Sequence, residues 1–250
     1  NVQRNQVWLC GKHRVMCGDS TDADDVARLM QGDKADAMVT DPPYGMRLDA
    51  DWSKASSRIF RDSVGHWLKG RKYEPVIGDS EPFDAGPIID IYGDPPHQFW
   101  FGADYYAYSL PKPYSTGAWL VWDKRESSNH FDEQLEANVP FDGIFGSQFE
   151  LIWSKAKCRR VILRYLWAGG FGLGNRGDER RWHPTQKPTN LIEALIGRTT
   201  GFVVDPFLGS GTTLIAAEKL GRICYSMEVH QPYVAVTLQR YLEFTGDMPR

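Results

Sequence analysis

Phe202-Val203-Val204-Asp205-Pro206-Phe207-Leu208-Gly209-Ser210-Gly211-Thr212-Thr213 reads as a strand, a tight turn and the start of a helix. Gly209 and Gly211 remove side chains where the backbone must turn sharply and come close to a ligand. The Lys of a phosphate loop is absent, and so is the third glycine of the dinucleotide fingerprint, which favours a cofactor without phosphates. Glu228 ends the next predicted strand, 23 positions after Asp205, where an acid can accept hydrogen bonds from ribose hydroxyls. Taken alone, the same stretch also suits an ordinary βα turn.

Outward from this turn, short apolar runs alternate with helical segments, the pattern of an α/β sheet protein. His13 to Cys17 is a predicted strand that stops at Gly18-Asp19, and Asp22 to Met30 a helix with an acidic first turn. Ala35 to Thr40 is the next strand, with Asp41-Pro42-Pro43-Tyr44 at its carboxyl end, where open α/β sheets place ligands. Residues 45–97 are rich in Gly, Pro, Asp and Ser and read as an inserted loop with one short helix. Gln98 to Leu110 is expected to be helical, and Ala118 to Trp122 a strand. Leu151 to Trp153 and Val161 to Tyr165 flank a basic turn and suggest a β-hairpin. Asn190 to Arg198 is an amphipathic helix, Thr212 to Leu220 a helix, Ile223 to Ser226 a strand and Gln231 to Phe244 a last helix.

The bulk properties fit one soluble domain. The 250 residues are 42% hydrophobic and 24% charged, enough for one sizeable core. No apolar run approaches the roughly 20 residues that span a bilayer, and the first residues carry no apolar signal core, so a cytoplasmic protein with no membrane partner is expected. Cys10, Cys17, Cys158 and Cys224 show no metal-ligand spacing, and no metal is expected. The net charge of −3 runs against a nucleic-acid partner. A basic stripe, Lys155, Lys157, Arg159, Arg160 and Arg164 followed by Arg176, Arg180 and Arg181, runs for one, although a solvated face reads the same.

Four segments occur in the order Gly18-Asp19-Ser20, Asp41-Pro42-Pro43-Tyr44, His183-Pro184-Thr185-Gln186-Lys187-Pro188 and Asp205-Pro206-Phe207-Leu208-Gly209-Ser210-Gly211. In sequence and order they resemble the DNA adenine-N6 and cytosine-N4 amino-methyltransferases of the circularly permuted β group. The resemblance covers about residues 7–44 and 117–245. It implies a Rossmann-like methyltransferase fold: a mostly parallel seven-stranded sheet with one antiparallel strand, here the Val161 strand, in a single domain with the insertion at 45–97. It implies S-adenosylmethionine as cofactor, held by Asp19, Ser20, Thr185, Gln186, Lys187, Asp205, Phe207, Gly209, Ser210, Gly211, Thr212, Thr213 and Glu228. The same fold would gather Asp19, Asp41, Asp205 and Glu228 along one sheet edge.

The resemblance assigns catalysis to Asp41, Pro42, Pro43 and Tyr44. An amino nitrogen conjugated to an aromatic base is a poor nucleophile. Acceptors on both its hydrogens, the Asp41 carboxylate and the Pro42 carbonyl, localise its lone pair and meet the charge that develops as it attacks. Pro42 and Pro43 stiffen the turn, and Tyr44 would stack on a flipped base. Asp at the first position associates with adenine rather than cytosine among such enzymes. The expected partner is double-stranded DNA, in a restriction-modification setting, with a homodimer possible. The 45–97 insertion and the Lys155–Arg181 stretch are candidates for reading neighbouring bases, and the Phe171–Gly177 loop for bordering the pocket. An RNA or protein amide methyltransferase competes, but its relatives usually place the glycine motif first. A non-catalytic cofactor-binding regulator competes too, but every matched position is intact.

Overall fold

The computed structural model describes residues 1–47, 51, 56–61, 67–69, 72–110, 117–124, 149–165, 167–168, 173–174 and 182–250. Arg176, Arg180, Arg181 and most of the Phe171–Gly177 loop lie outside the described residues, as do parts of the 45–97 insertion.

The strands are β1 (Val7–Cys10), β2 (His13–Cys17), β3 (Ala37–Thr40), β4 (Ser56–Arg61), β5 (Trp67–Lys69), β6 (His97–Phe101), β7 (Ala118–Asp123), β8 (Phe149–Ser154), β9 (Ile162–Arg164), β10 (Trp167–Ala168), β11 (Leu173–Gly174), β12 (Val203–Asp205) and β13 (Cys224–Glu228). Among the described residues the helices are α1 (Ala23–Met30), α2 (Gly86–Tyr92), α3 (Thr189–Ile196), α4 (Thr212–Lys219) and α5 (Gln231–Thr245). Nine strands form one sheet in the order β1-β2-β13-β12-β3-β6-β8-β7-β9, while β4-β5 and β10-β11 are separate two-stranded ribbons.

Strands β2, β13, β12, β3 and β6 run parallel, β8 runs antiparallel between β6 and β7, and β7 and β9 resume the common direction. The stretch from β2 to β7 is thus the expected seven strands with one antiparallel member. That member is β8, not the Val161 strand, because β9 pairs parallel with β7. The expected hairpin between Leu151–Trp153 and Val161–Tyr165 does not form; β7 lies beside both strands and separates them. β1 and β9 widen the sheet to nine.

Helices α3, α4 and α5 cover one face of the sheet, where Ala37, Val39, Phe99, Phe101 and Trp122 meet Leu191, Leu195, Leu214 and Val234. Helices α1 and α2 cover the other, where Met16, Met38, Trp100 and Trp153 meet Val26, Leu29 and Ile88. Alternate residues of β3 and β6 therefore enter different cores, the period of a strand buried on both sides. This explains why the expected helix over Gln98–Leu110 is instead strand β6 followed by a single 3-10 turn at Ala107–Ser109. Phe99, Trp100 and Phe101 are all buried, and a strand between β3 and β8 hides three consecutive rings that a helix would splay over about 200°.

Among the described residues, no helix is long and apolar enough to cross a membrane. The one short helix expected in the insertion is α2.

Candidate active site

The parallel strands end together, and their carboxyl ends carry the four acids in the spatial order Asp19, Glu228, Asp205, Asp41. Register places Glu228 opposite Cys17 and Asp205 opposite Ser226. Beyond β2, the Gly18 N–H donates to the Glu228 carbonyl (3.1 Å) and the Asp19 N–H to the buried Asp25 carboxylate of α1 (3.0 Å). Helix α1 starts here because Asp22 accepts from the Asp24 and Asp25 N–H groups. The Ser20 hydroxyl is committed to the Pro206 carbonyl, and Tyr92 donates to it (3.3 Å), so Ser20 ties the β2 loop to the β12 loop.

The glycine turn is built as its sequence suggests. Gly209 (φ +56°) and Gly211 (φ +88°) are left-handed, and a Cβ on Gly211 would lie 2.7 Å from Thr237 Oγ1. The Gly209 N–H donates to Glu228 Oε2 (2.8 Å), and His230 N–H to Glu228 Oε1 (2.8 Å). Asp205 accepts from the Phe207 N–H (3.0 Å) and from Thr213, while Thr212 is buried at the start of α4. Ser210 donates to Gln186 Oε1 (3.0 Å), which also accepts from the Trp182 N–H (2.8 Å). Arg240 of α5, unremarked in the sequence, clamps the Ser210 carbonyl (2.5 Å). Thr185 turns its N–H and hydroxyl toward His183 Nδ1.

Burial pushes both Asp205 and Glu228 up to about 7, against the hydrogen bonds that favour their ionised forms. Two desolvated acids beside the turn would repel a pyrophosphate. They suit a ligand that brings hydroxyl donors and positive charge, and S-adenosylmethionine has ribose hydroxyls, a sulfonium and an ammonium.

Asp41 follows β3 directly. Its Oδ2 accepts from the Lys187 ammonium at 2.5 Å, and its Oδ1 is buried without a hydrogen-bond partner among the described residues. Lys187 also lies 3.4 Å from Glu150 Oε2 on β8, and Glu150 Oε1 meets Lys124 at 2.6 Å. Lys187 is itself buried, its Nζ 5.2 Å from the ring centre of Phe101 and 5.9 Å from that of Trp122. Sequence reasoning placed Lys187 with the cofactor and missed Glu150 and Lys124. The signal was an acid beside Leu151-Ile152-Trp153, where a strand residue that lies in the sheet interior needs a partner.

Pro42 is buried, and Pro43 packs on Gly78. Tyr44 abuts Gly102, where a Cβ would come within 2.6 Å of its ring. Tyr105, half exposed, stacks on Tyr44 with centroids 4.9 Å apart and planes 20° apart.

The basic stretch divides. Lys155 is bound to Asp94 and Pro95 below the start of β6, and exposed Lys157, Arg159 and Arg160 follow it. Because β8 is antiparallel, this turn lies at the amino end of the parallel strands, opposite Asp41. Arg164, 3.7 Å from Asp123, lies at the carboxyl end.

A three-layer α/β/α sheet with acids along its carboxyl edge, a glycine turn and an Asp-Pro-Pro-Tyr corner defines the Rossmann-like methyltransferase class. A sequence profile described as DNA methylase matches residues 93–239, more than half of the chain. The chain belongs to this N6/N4 DNA methylase family, whose methyl donor is S-adenosylmethionine. It is 24% identical over 206 residues to Type II methyltransferase M2.MboI of Moraxella bovis, covering 78% of this chain and 65% of that protein. It is 32% identical over 98 residues to M2.DpnII of Streptococcus pneumoniae, covering 38% and 31%. A 40% identical match over 72 residues to M.ScaI of Streptomyces caespitosus covers 28% and 24%. The chain thus spans less than two thirds of each of these relatives. Its fold is shared with PvuII DNA methyltransferase (cytosine-N4-specific), with a TM-score of 0.51 at 16% identity over 93% of this chain and 87% of that one. It is shared too with M1.HpyAVI in its SAM complex, at 0.50 and 18% over 90% and 98%.

Proposed function

We propose that this protein is a DNA methyltransferase that modifies the exocyclic N6 amino group of adenine in a base flipped from the duplex, within a restriction-modification system. The observation that carries the reading is the state of Asp41: one oxygen is held by Lys187, while the other is buried and open, beside a cofactor-type glycine turn. When bound, S-adenosylmethionine supplies an electrophilic methyl group. Glu228 and Asp19 would hold its adenosine, and the glycine turn with Asp205 would border it.

The chain's own contribution is to make a weak nucleophile competent. The open Asp41 oxygen and the Pro42 carbonyl accept the two amino hydrogens, so the lone pair is no longer shared with the ring. The developing positive charge on nitrogen then meets a carboxylate already in place, without solvent reorganisation. Tyr44 offers an aromatic face to the base. Since Tyr105 covers one face, the base takes the other or displaces Tyr105.

Adenine is favoured by the Asp that opens Asp41-Pro42-Pro43-Tyr44. Incubation with tritiated S-adenosylmethionine and DNA, RNA or protein tests the substrate class. Nucleoside mass spectrometry of the DNA then tests the base: N6-methyladenine is expected. N4-methylcytosine would overturn the adenine assignment alone, and C5-methylcytosine would overturn the mechanism, since carbon attack needs a thiolate.

A further inference from the structure

We propose that Lys187, held between Asp41 and Glu150, is a positioning residue: it occupies one oxygen of Asp41 and favours the ionised form of that acid, so that the other oxygen can receive the target amine. The inference rests on the amine methylation proposed above. It assigns to Lys187 a role toward the catalytic acid, and to Glu150 and Lys124 the task of fixing Lys187.

The geometry is an alternating row of charges: Asp41, Lys187, Glu150, Lys124, with successive N–O separations of 2.5, 3.4 and 2.6 Å. Each member comes from a different segment: the end of β3, the turn before α3, strand β8 and the residue after β7. The charges of the four described members cancel, which makes their burial more tolerable, since an isolated ion there would be strongly penalised. The two cations are backed by rings, Lys187 by Phe101 and Trp122, and Lys124 by Trp122 at 5.1 Å. Phe101 and Trp122, both buried, flank Lys187 and restrict where its ammonium can settle.

The groups that face Asp41 are Lys187, Glu150, Lys124, Asp205, Tyr44 and Tyr106. Burial raises Asp41 and Glu150 raises it further; Lys187 acts against both, and the carboxyl stays above its ordinary value. Burial would strip Lys187 of its proton, but Asp41 and Glu150 outweigh that and hold it charged. Removal of Lys187 therefore leaves two acids to face each other in a dry site, and the open oxygen of Asp41 would then hold a proton instead of accepting one.

The test uses Lys187→Gln, Lys187→Arg and the double variant Lys187→Gln/Glu150→Gln, with turnover followed against pH at saturating DNA and cofactor. In Lys187→Gln the acid limb of the profile should move up by about one to three pH units, the usual influence of an adjacent opposite charge. Removing Glu150 as well should move the limb part of the way back, because it removes the charge that repels Asp41. Lys187→Arg should stay close to the parent. Adenosylhomocysteine affinity, measured by calorimetry, should stay within several-fold throughout. A limb that does not move in Lys187→Gln overturns the proposal. So does a double variant no better than the single one, or a loss of cofactor affinity that accounts for the loss of turnover. If Lys187→Gln does not fold, the double variant, which loses one charge of each sign, should still show a raised limb relative to the parent. A parent protein without activity on DNA would instead defeat the functional reading. In that case ¹³C titration of the Asp41 carboxyl in ligand-free protein, assigned with Asp41→Asn, still decides the matter: its midpoint rises in Lys187→Gln or the proposal fails.

Discussion

Two clusters of acid, buried or largely buried, lie on the same sheet edge and are stabilised by different means. Around Asp41 and Glu150 the compensation is ionic, from Lys187 and Lys124. Around Asp205 and Glu228 it comes mainly from dipoles: the N–H groups of Phe207, Gly209 and His230 and the Thr213 hydroxyl. In the ionic cluster Glu150 sits below the ordinary carboxylate range because its two ammonium partners outweigh its burial, whereas burial keeps Asp41 above that range and its Oδ1 has no hydrogen-bond partner among the described residues. The dipolar cluster brings no cation, and burial leaves both its acids near 7 although each accepts hydrogen bonds. The first is preorganised for chemistry, and the second awaits donors that a ligand brings.

If this contrast is right, damage to the two clusters should separate turnover from binding. Asp41→Ala should cost the most, about 10²–10³-fold or more in turnover, with adenosylhomocysteine affinity within several-fold of the parent. Near-normal turnover would end the catalytic assignment. Glu228→Ala should show the reverse pattern, a cofactor dissociation constant raised by the equivalent of about 1.5–3 kcal/mol, the range for a charge-assisted hydrogen bond. An unchanged calorimetric titration would mean that Glu228 has no ligand to meet.

The two acids near 7 also carry a pH signature. Glu228 is raised from 4.5 to about 7 on folding, so the folded state holds the proton more tightly. Ligand-free stability from this group is complete below the unfolded value and is lost as pH rises through about 7. Adenosylhomocysteine affinity should run the other way and strengthen over the same interval, as the carboxylate becomes available to accept hydroxyl protons. Thermal melts and calorimetry from pH 5 to 9 would show both trends, and Glu228→Gln should flatten them. The smallest effect concerns the basic turn. Arg159→Ala/Arg160→Ala should leave DNA affinity and its salt dependence unchanged, since this turn lies at the far end of the sheet from Asp41. A clear loss would mean that DNA reaches around the molecule.

The same contrast explains what the sequence disclosed. The dipolar cluster is local: a strand, two glycines and an acid within the 26 positions from Val203 to Glu228, with the positive φ values that the glycines imply. Its strands and helices were readable to within a few residues. The ionic cluster joins residues 146 positions apart, Lys187 and Asp41, and no periodicity links such positions. β6 was misread because Phe99-Trp100-Phe101 has neither a helical nor an alternating pattern; burial on both faces removes the contrast that periodicity needs. The hairpin was misread for a related reason. β8 and β9 are close in sequence, but each pairs with β7 instead of with the other, β8 on one side and β9 at the sheet edge on the other. Ser20 and Gln186, expected at the cofactor, also tie neighbouring loops together: Ser20 bonds the Pro206 carbonyl, and Gln186 accepts from Ser210 and Trp182, contacts that motif matching does not reveal.

The position of β12 has a consequence for how the molecule is made. β12 lies between β3 and β13, and β13 joins β12 to β2, yet both middle strands are synthesised after every other described strand of the sheet. Until they emerge, β2 and β3 each present an unpaired parallel edge, and the centre of the sheet is a gap. Contacts this distant in sequence make for slow assembly and prolonged exposure of sticky edges. On the ribosome, the first half of this chain should therefore depend on chaperones that shield strand edges, and it should gain native amide protection only once residues 203–228 have cleared the exit tunnel.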